Sequence, residues 1–519
     1  MVRGIQKSFY FILVFFIGLF IASSFFIRAK YSYFVYGDTP VLEKQQLVIF
    51  ILAVVVVLGL SLALYKICLK LNKYSRKIVI PAVLLCSFAI QLLIIFLFPR
   101  LPTDDSQTVL SLALDMLYRG DYSSFDTSGY LHMFPFNFST VLYLKTLLLL
   151  FPDNYLTLKI FNILFTLVTT LMIYLLYKEL NYKSKEQDYG VLVFAATYIP
   201  SLFMSNFIYN DVIATAFLTS ALYFAVKFIK RKSFKDIIFA AVLLAIGNYF
   251  RSVGVIFLIT ILLSLLFSIR TLGVKKAIAA LFITVLLFNV PNWTQNAVLQ
   301  ATNVVDESIN ENSAPVYMWL NMGINLETFG FWDNRQSYTI YQQDANYNKA
   351  ASTELYKAEI SKKLSEASLG DLVEMYYKKM IWTWTEGTYQ VERYGLGNDG
   401  SSGSSGRMVG AVMDRYSYTN AATDLFKGDS NFRSGLLWIL YVLNFLMYGF
   451  ILVRLIGGIR ARRFEETPII LVVLGFIGFY LLWEIKSRYI FPVYPMLIVL
   501  SYMGAKDVYD YMMKKYFTR

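Results

Sequence analysis

The sequence predicts an all-α polytopic membrane protein of about twelve transmembrane helices, with a mixed extracytoplasmic domain inserted before the last three. Three observations predict this. The 519 residues are 57% hydrophobic and 16% charged, with mean hydropathy +0.52. Soluble domains are about 45–50% apolar and about 25% charged. Apolar runs close to the ~20 residues needed to cross a bilayer recur along the chain. Lys and Arg collect in short loops between alternate runs, as cytoplasmic loops do. The formal net charge of +13 follows from that asymmetry, so no nucleic-acid partner is invoked. Cys68 and Cys86 lie in or beside apolar runs without metal-ligand spacing, and a single histidine argues against a His-based zinc centre.

Taken in order, the candidate spans fall at roughly 9–27, 46–68, 78–98, 155–177, 190–206, 211–229, 236–250, 252–270, 276–292, 434–456, 467–484 and 488–505. The first follows a basic start and is followed by Arg28 and Lys30, not by a small-residue cleavage pattern. It therefore reads as a retained helix, not a signal peptide. With both termini in the cytoplasm, Lys230-Arg231-Lys232 and Arg460-Ala-Arg-Arg463 also fall inside, as the positive-inside rule requires. The chain then divides into a helix pair (1–77), a membrane core (78–294) with an outer loop (99–154), an extracytoplasmic domain (295–432) and a three-helix segment (433–519).

In the outer loop, Val109, Leu112, Met116 and Leu117 recur at helical spacing before Gly120, which predicts an amphipathic interfacial helix. Thr103 or Asp104 is placed to cap it. The run 136–151, ended by Pro152, predicts a second surface or half-inserted helix. In 295–432, Asp371-Leu-Val-Glu374 has the form of a capping box, with Leu372, Tyr376 and Met380 on one face of the helix it opens. The Gly/Ser run 398–406 reads as a linker or a lid.

Three polar clusters map to the same outer face. The first is Pro102-Thr-Asp104-Asp105. The second is Tyr209-Asn-Asp211, with Arg251 at the next outer turn. The third is Trp483-Glu484-Ile-Lys486-Ser-Arg488-Tyr489. Each has a local explanation: a helix cap, a polar turn, a snorkelling arginine or an interfacial anchor. Outer cations nevertheless run against the trend that sets the topology, which suggests a bound anion. Together, acids and fixed cations at a lipid interface suit attack by a hydroxyl on a sugar whose leaving group is a lipid-linked phosphate. His132, the only histidine, lies in the same loop and is a candidate contact to sugar or acceptor.

On these residues the chain resembles the membrane-embedded glycosyltransferases of the GT-C superfamily, in the branch of protein O-mannosyltransferases and lipid A aminoarabinose transferases. The likeness is carried by the acidic pair and the stretch through Arg119-Gly-Asp-Tyr122 to Pro152, and by Glu484 to Pro495. The segments around Asp211, Arg251 and Trp384-Thr-Glu-Gly387 also fit. The second acid is Asp105, where a Glu is common in the family. The resemblance implies a GT-C-like fold, a polyprenyl-phosphate sugar donor, an inverting transfer and Asp104 as the base, with Asp105 beside it. It further implies that Tyr209, Asp211, Arg251, Glu484, Lys486 and Arg488 serve substrate binding. The family's use of a divalent metal varies, so the resemblance leaves a metal open and implies no other cofactor. The expected setting is a bacterial plasma membrane with the site facing out, membrane lipids around it, and an envelope polymer, lipid or protein as acceptor. A polysaccharide polymerase or ligase is the rival enzyme, and a transporter or lipid-linked sugar flippase the rival of another class. Transport would favour mid-membrane charges, internal repeats and broken helices; the mid-span positions are nearly free of charge and no repeat is seen.

Overall fold

The computed structural model describes residues 2–34, 37–152, 154–181, 187–396 and 418–516; the Gly/Ser run 398–406 lies outside them. Among the described residues, seven helices are long and apolar enough to cross a membrane: Val2–Ser24, Leu47–Leu71, Arg76–Leu97, Tyr155–Leu180, Asn210–Arg231, Val274–Ala301 and Asn431–Ala461. The other expected spans are occupied by the broken pair Gly190–Ala196 with Ile199–Met204, by the shorter Phe234–Phe250, Gly254–Phe267 and Thr467–Leu482, and by the longer, more polar Tyr494–Tyr516. The chain is an all-α polytopic membrane protein.

Burial sorts these helices. Asn210–Arg231 is nearly enclosed and packs on Tyr155–Leu180 and Phe234–Phe250, whereas Leu47–Leu71 keeps most of its apolar surface outward. An outward apolar face is stable only against lipid. Side-chain pairs fix which loops share an end. Arg454 bridges Glu466 and Asp507, and Glu466 also accepts the Tyr10 hydroxyl at 2.6 Å. Asp188 gathers Tyr177, Tyr502 and Lys506, and Arg231 pairs with Glu179 at 2.7 Å. The charged members of these groups belong to the loops and the tail expected on one side by charge. Hydrogen-bonded partners keep such buried charges tolerable, since a lone buried ion costs several kcal/mol.

The other end carries everything else. The interfacial helix forms over Asp105–Tyr118, burying Val109 and Met116, and packs against Phe138–Leu150, the expected second surface helix. A hairpin not anticipated from the sequence, β1 (Ile27–Phe34) and β2 (Gly37–Lys44), follows the first helix. Its Ala29 and Tyr31 face inward, and the Arg28 guanidinium lies 3.7 Å over the Trp438 ring.

The segment expected to be a mixed domain is helical in its described part, with a single bridge, Phe331 to Ile485, tying it to the last outer turn. Its capping box is Ser368 with Asp371, one turn earlier than Asp371 with Glu374. Asp371 is thus the third helical residue, reaching back to the Ser368 backbone N–H. Part of the segment is buried among the helices. The end of the Leu369–Thr385 helix drives inward: Trp384 stacks on Phe20 at 5.8 Å, and Trp382 donates to the Lys30 carbonyl at 3.0 Å. Gly387, at φ +74°, then turns the chain where a Cβ would stand 2.8 Å from Asn444. That turn delivers the π-helical segment Glu392–Leu396 to the outer end of the core.

Candidate functional site

A cavity of about 950 Å³ opens at this end. Its wall includes seven of the nine residues singled out from sequence: Asp104, Asp105, Tyr209, Arg251, Glu484, Lys486 and Arg488. They come from three turns at one end of the helices and from the loop between the third and fourth spans, brought together by the packing of Asn210–Arg231 against the Ser487–Val493 turn.

Asp104 occupies the N-cap position, yet its side chain makes no cap hydrogen bond. Ser106 satisfies the Thr103 amide instead, at 3.0 Å. The Asp104 carboxylate receives a two-pronged guanidinium: Arg393 Nε donates to Oδ2 at 2.8 Å and Nη2 to Oδ1 at 2.6 Å. The backbone there has φ 55° and ψ −134°, a conformation that L-residues rarely adopt and that costs about 1–3 kcal/mol. The expected capping role is therefore corrected. The chain holds Asp104 under strain so that its carboxylate faces the cavity, where 41% of its side chain remains exposed.

Asp105 accepts the Tyr130 hydroxyl at 3.1 Å. Asn137 donates to that hydroxyl at 2.7 Å and accepts from Tyr209 at 2.9 Å. Burial, and then the neighbouring Asp105 carboxylate, push the Tyr130 phenol well above its usual range, so it remains a donor.

Asp211 does not line the cavity. It is fully buried beneath the wall and pairs with two guanidinium groups, Arg488 at 2.6 Å and Arg251. The Arg488 guanidinium lies 4.9–5.4 Å from the rings of Tyr394, Phe207, Tyr209 and Tyr489. Arg251 faces the Tyr489 ring at 5.4 Å. Neither arginine snorkels: both are fixed, and two cations share one carboxylate. That leaves one formal positive charge in a low-dielectric wall, which favours an anion.

Glu484, just past the end of Thr467–Leu482, is buried and accepts the Tyr489 hydroxyl at 3.2 Å. Burial pushes its carboxyl up to about 7. Lys486 stands between the Trp332 and Tyr489 rings, at 5.9 and 6.0 Å. Trp319 and Trp483 stack in parallel at 5.6 Å along the same wall. His132 is absent from the wall; its ring meets Tyr347 edge-on, behind the loop. A divalent ion does not fit these residues. Asp104, Asp105 and Glu484 each already accept a hydrogen bond from Arg393, Tyr130 or Tyr489. Among the described residues no three His, Cys, Asp or Glu side chains converge as an oxygen cage would require.

Arg393, Tyr394 and Tyr130 were missed from the sequence. A signal was present: charged residues Glu386, Glu392 and Arg393 in an aromatic stretch, too costly to bury without a task.

Residues 140–294, under a third of the chain, match the family model of dolichyl-phosphate-mannose-protein mannosyltransferase. This is a GT-C family, as the resemblance read from the sequence implied. The matched stretch contains Tyr209, Asp211 and Arg251; the aspartate pair, Arg393 and the 484–488 cluster lie outside it. No curated protein matches the chain.

Proposed function

We propose that the chain is an integral membrane glycosyltransferase. It moves a sugar from a polyprenyl-phosphate donor to an acceptor hydroxyl at the outer face of a bacterial plasma membrane, with both termini in the cytoplasm. The observation that carries this reading is the cavity wall, where the strained Asp104 carboxylate shares one space with Arg251 and Arg488, which Asp211 pairs from beneath. The lipid phosphate binds at that positive unit, and the acceptor hydroxyl approaches Asp104. The acceptor oxygen forms a bond to the anomeric carbon, the bond from that carbon to the phosphate oxygen breaks with its electron pair going to phosphate, and the hydroxyl proton passes to Asp104. A single displacement of this kind inverts the anomeric centre. Arg251 and Arg488 stabilise the charge growing on the leaving phosphate, and no step needs a metal. Asp105, held by Tyr130, and Lys486 orient the sugar. The acceptor is an envelope polymer, lipid or protein.

The test offers the purified protein a panel of polyprenyl-phosphate sugars and follows released lipid phosphate and product. Asp104→Asn keeps the fold and loses about 10²–10⁴-fold in single-turnover rate, the usual worth of a general base. Arg488→Ala weakens donor binding as well as transfer. Transfer at the parent rate in Asp104→Asn refutes the assignment of the base. Lipid binding without transfer of any sugar favours a flippase.

A further inference from the structure

The proposed base is occupied. Both Asp104 oxygens accept N–H bonds from Arg393, so the atoms meant to receive a hydroxyl proton already face a guanidinium fork. Paired forks of this kind are the strongest carboxylate contacts a protein makes. The fork takes one acceptor position on each oxygen and matches the charge that would draw the proton, so the base is freed when the fork leaves. Arg393 lies 5.8 Å from the centroid of the Tyr394 ring, and Arg488 lies 4.9 Å from the same centroid. Both guanidinium groups thus flank one ring and line one cavity, the space in which a phosphate held by Arg488 would sit.

The segment bearing Arg393 is built to rearrange. Tyr389 and Gln390 are successive residues with positive φ, 53° and 59°, just ahead of a π-helical turn. The Gln390 side-chain amide is fully buried, with no protein partner for its oxygen or its nitrogen. Such strain and unmet polarity raise the energy of one conformation relative to another, and π-turns mark functional positions. Glu392 pairs with Arg433 at 2.9 Å, a fixed point between the strained residues and Arg393.

We propose that Arg393 is a second ligand of the donor phosphate. It clamps Asp104 in the resting protein and passes to the phosphate when the lipid-linked sugar binds, freeing Asp104 for the acceptor. This rests on the glycosyltransferase reading and adds an order to it: donor binding unlocks the base. Tyr31 of β1 marks the resting position, its hydroxyl lying 3.3 Å from Arg393 Nη1.

The experiment measures binding of polyprenyl phosphate to the full-length purified protein and its variants, without any acceptor. If Asp104 and the phosphate compete for one fork, Asp104→Asn binds polyprenyl phosphate more tightly than the parent, by about tenfold. Arg393→Ala binds it more weakly, and Asp104→Asn adds no tightening in that background. Arg393→Lys keeps the charge but not the fork and loses most of the tightening; it serves if the alanine variant does not fold. Unchanged or weaker binding in Asp104→Asn overturns the proposal. Tightening that persists without Arg393 also overturns it, because the effect is then simple removal of a negative charge. A parent protein that does not bind polyprenyl phosphate, and is indifferent to Arg488→Ala, overturns the glycosyltransferase reading itself and the clamp with it.

Discussion

Asp211 should prove indispensable although it touches no substrate. Its side chain is 0% exposed, beside Arg488 at 3% and Arg251 at 11%. Asp211→Asn preserves shape but leaves two buried guanidinium groups without a counter-charge. Breaking a buried pair by removing one partner costs about 3–5 kcal/mol. Two cations lose their partner at once here, which argues for the top of that range. The aromatic cage around Arg488 returns part of it, at roughly 0.5–2 kcal/mol for cation–π contact. The variant should therefore unfold at a clearly lower denaturant or temperature midpoint in detergent. Adding polyprenyl phosphate should restore some of the loss, since its anion supplies the missing charge. A second substitution, Arg488→Met, should also recover stability by removing one unpaired ion, while abolishing donor binding. Transfer in Asp211→Asn alone should fall about 10²–10³-fold, the cost of misplacing one transition-state donor. An unchanged midpoint, or a double variant less stable than Asp211→Asn, would refute the view of Asp211 as shared counter-ion.

Glu484 gives a pH signature. Its carboxyl is raised to about 7 in the folded protein, so its contribution to stability is present below the unfolded value and is lost as pH rises through about 7. Glu484→Gln should flatten that part of the stability–pH curve; an identical slope in both proteins would discount the burial argument. In a cysteine-free background, Ser123→Cys should be labelled by an impermeant reagent in intact cells, and Lys276→Cys only after permeabilisation; the reverse pattern would invert the topology. Chelation of divalent ions should leave turnover unchanged, since the cavity acids are already hydrogen-bonded by Arg393, Tyr130 and Tyr489; loss of activity restored by a divalent metal would contradict this. His132→Ala should retain transfer within about twofold, given its place behind the wall and its neutral form, favoured by burial; a severe defect would return it to the site.

Much of the architecture was legible because its causes are local. Apolar run length and Lys/Arg placement depend on the bilayer alone, and they located every helix that carries the chain from end to end. The loop helix was legible from its spacing, and the aspartate pair from the oddity of adjacent charges at a membrane surface. The features that escaped depend on distance. Arg393 meets Asp104 across 289 positions, and no periodicity links them. The hairpin did leave a trace in the alternation of Ile27, Ala29 and Tyr31 with Arg28 and Lys30. The stretch is short and lies between two spans, so it passed as a connection. The capping box slipped by a turn because Ser368-Leu-Gly-Asp371 and Asp371-Leu-Val-Glu374 both satisfy the pattern, and only the helix start distinguishes them. His132 was singled out by rarity, which says nothing about the direction of a side chain.

The two arginine arrangements also differ in kind, and the proposed chemistry accounts for the difference. Arg251 and Arg488 are locked by a carboxylate that lies below the wall and never reacts. Arg393 is paired with Asp104, the proposed base. During transfer a proton arrives on Asp104 while a second negative charge appears on the departing phosphate. Negative charge thus migrates from Asp104 to phosphate across the cavity. A cation fixed at Asp104 would oppose that migration, because it would be left facing a neutral acid. A cation fixed at the phosphate would leave Asp104 unpaired beside the membrane before donor arrived. One guanidinium that moves with the charge avoids both penalties, and its five donors allow it to hold a carboxylate or a phosphate by the same two-pronged geometry. Lysine, a point charge without a fork, would make that exchange less selectively. Arg393→Lys should accordingly slow transfer even where the donor is saturating, whereas Arg251→Lys, whose partner does not change during the reaction, should chiefly weaken donor binding. Equal effects of the two lysine substitutions on saturated turnover would remove the reason for a mobile cation.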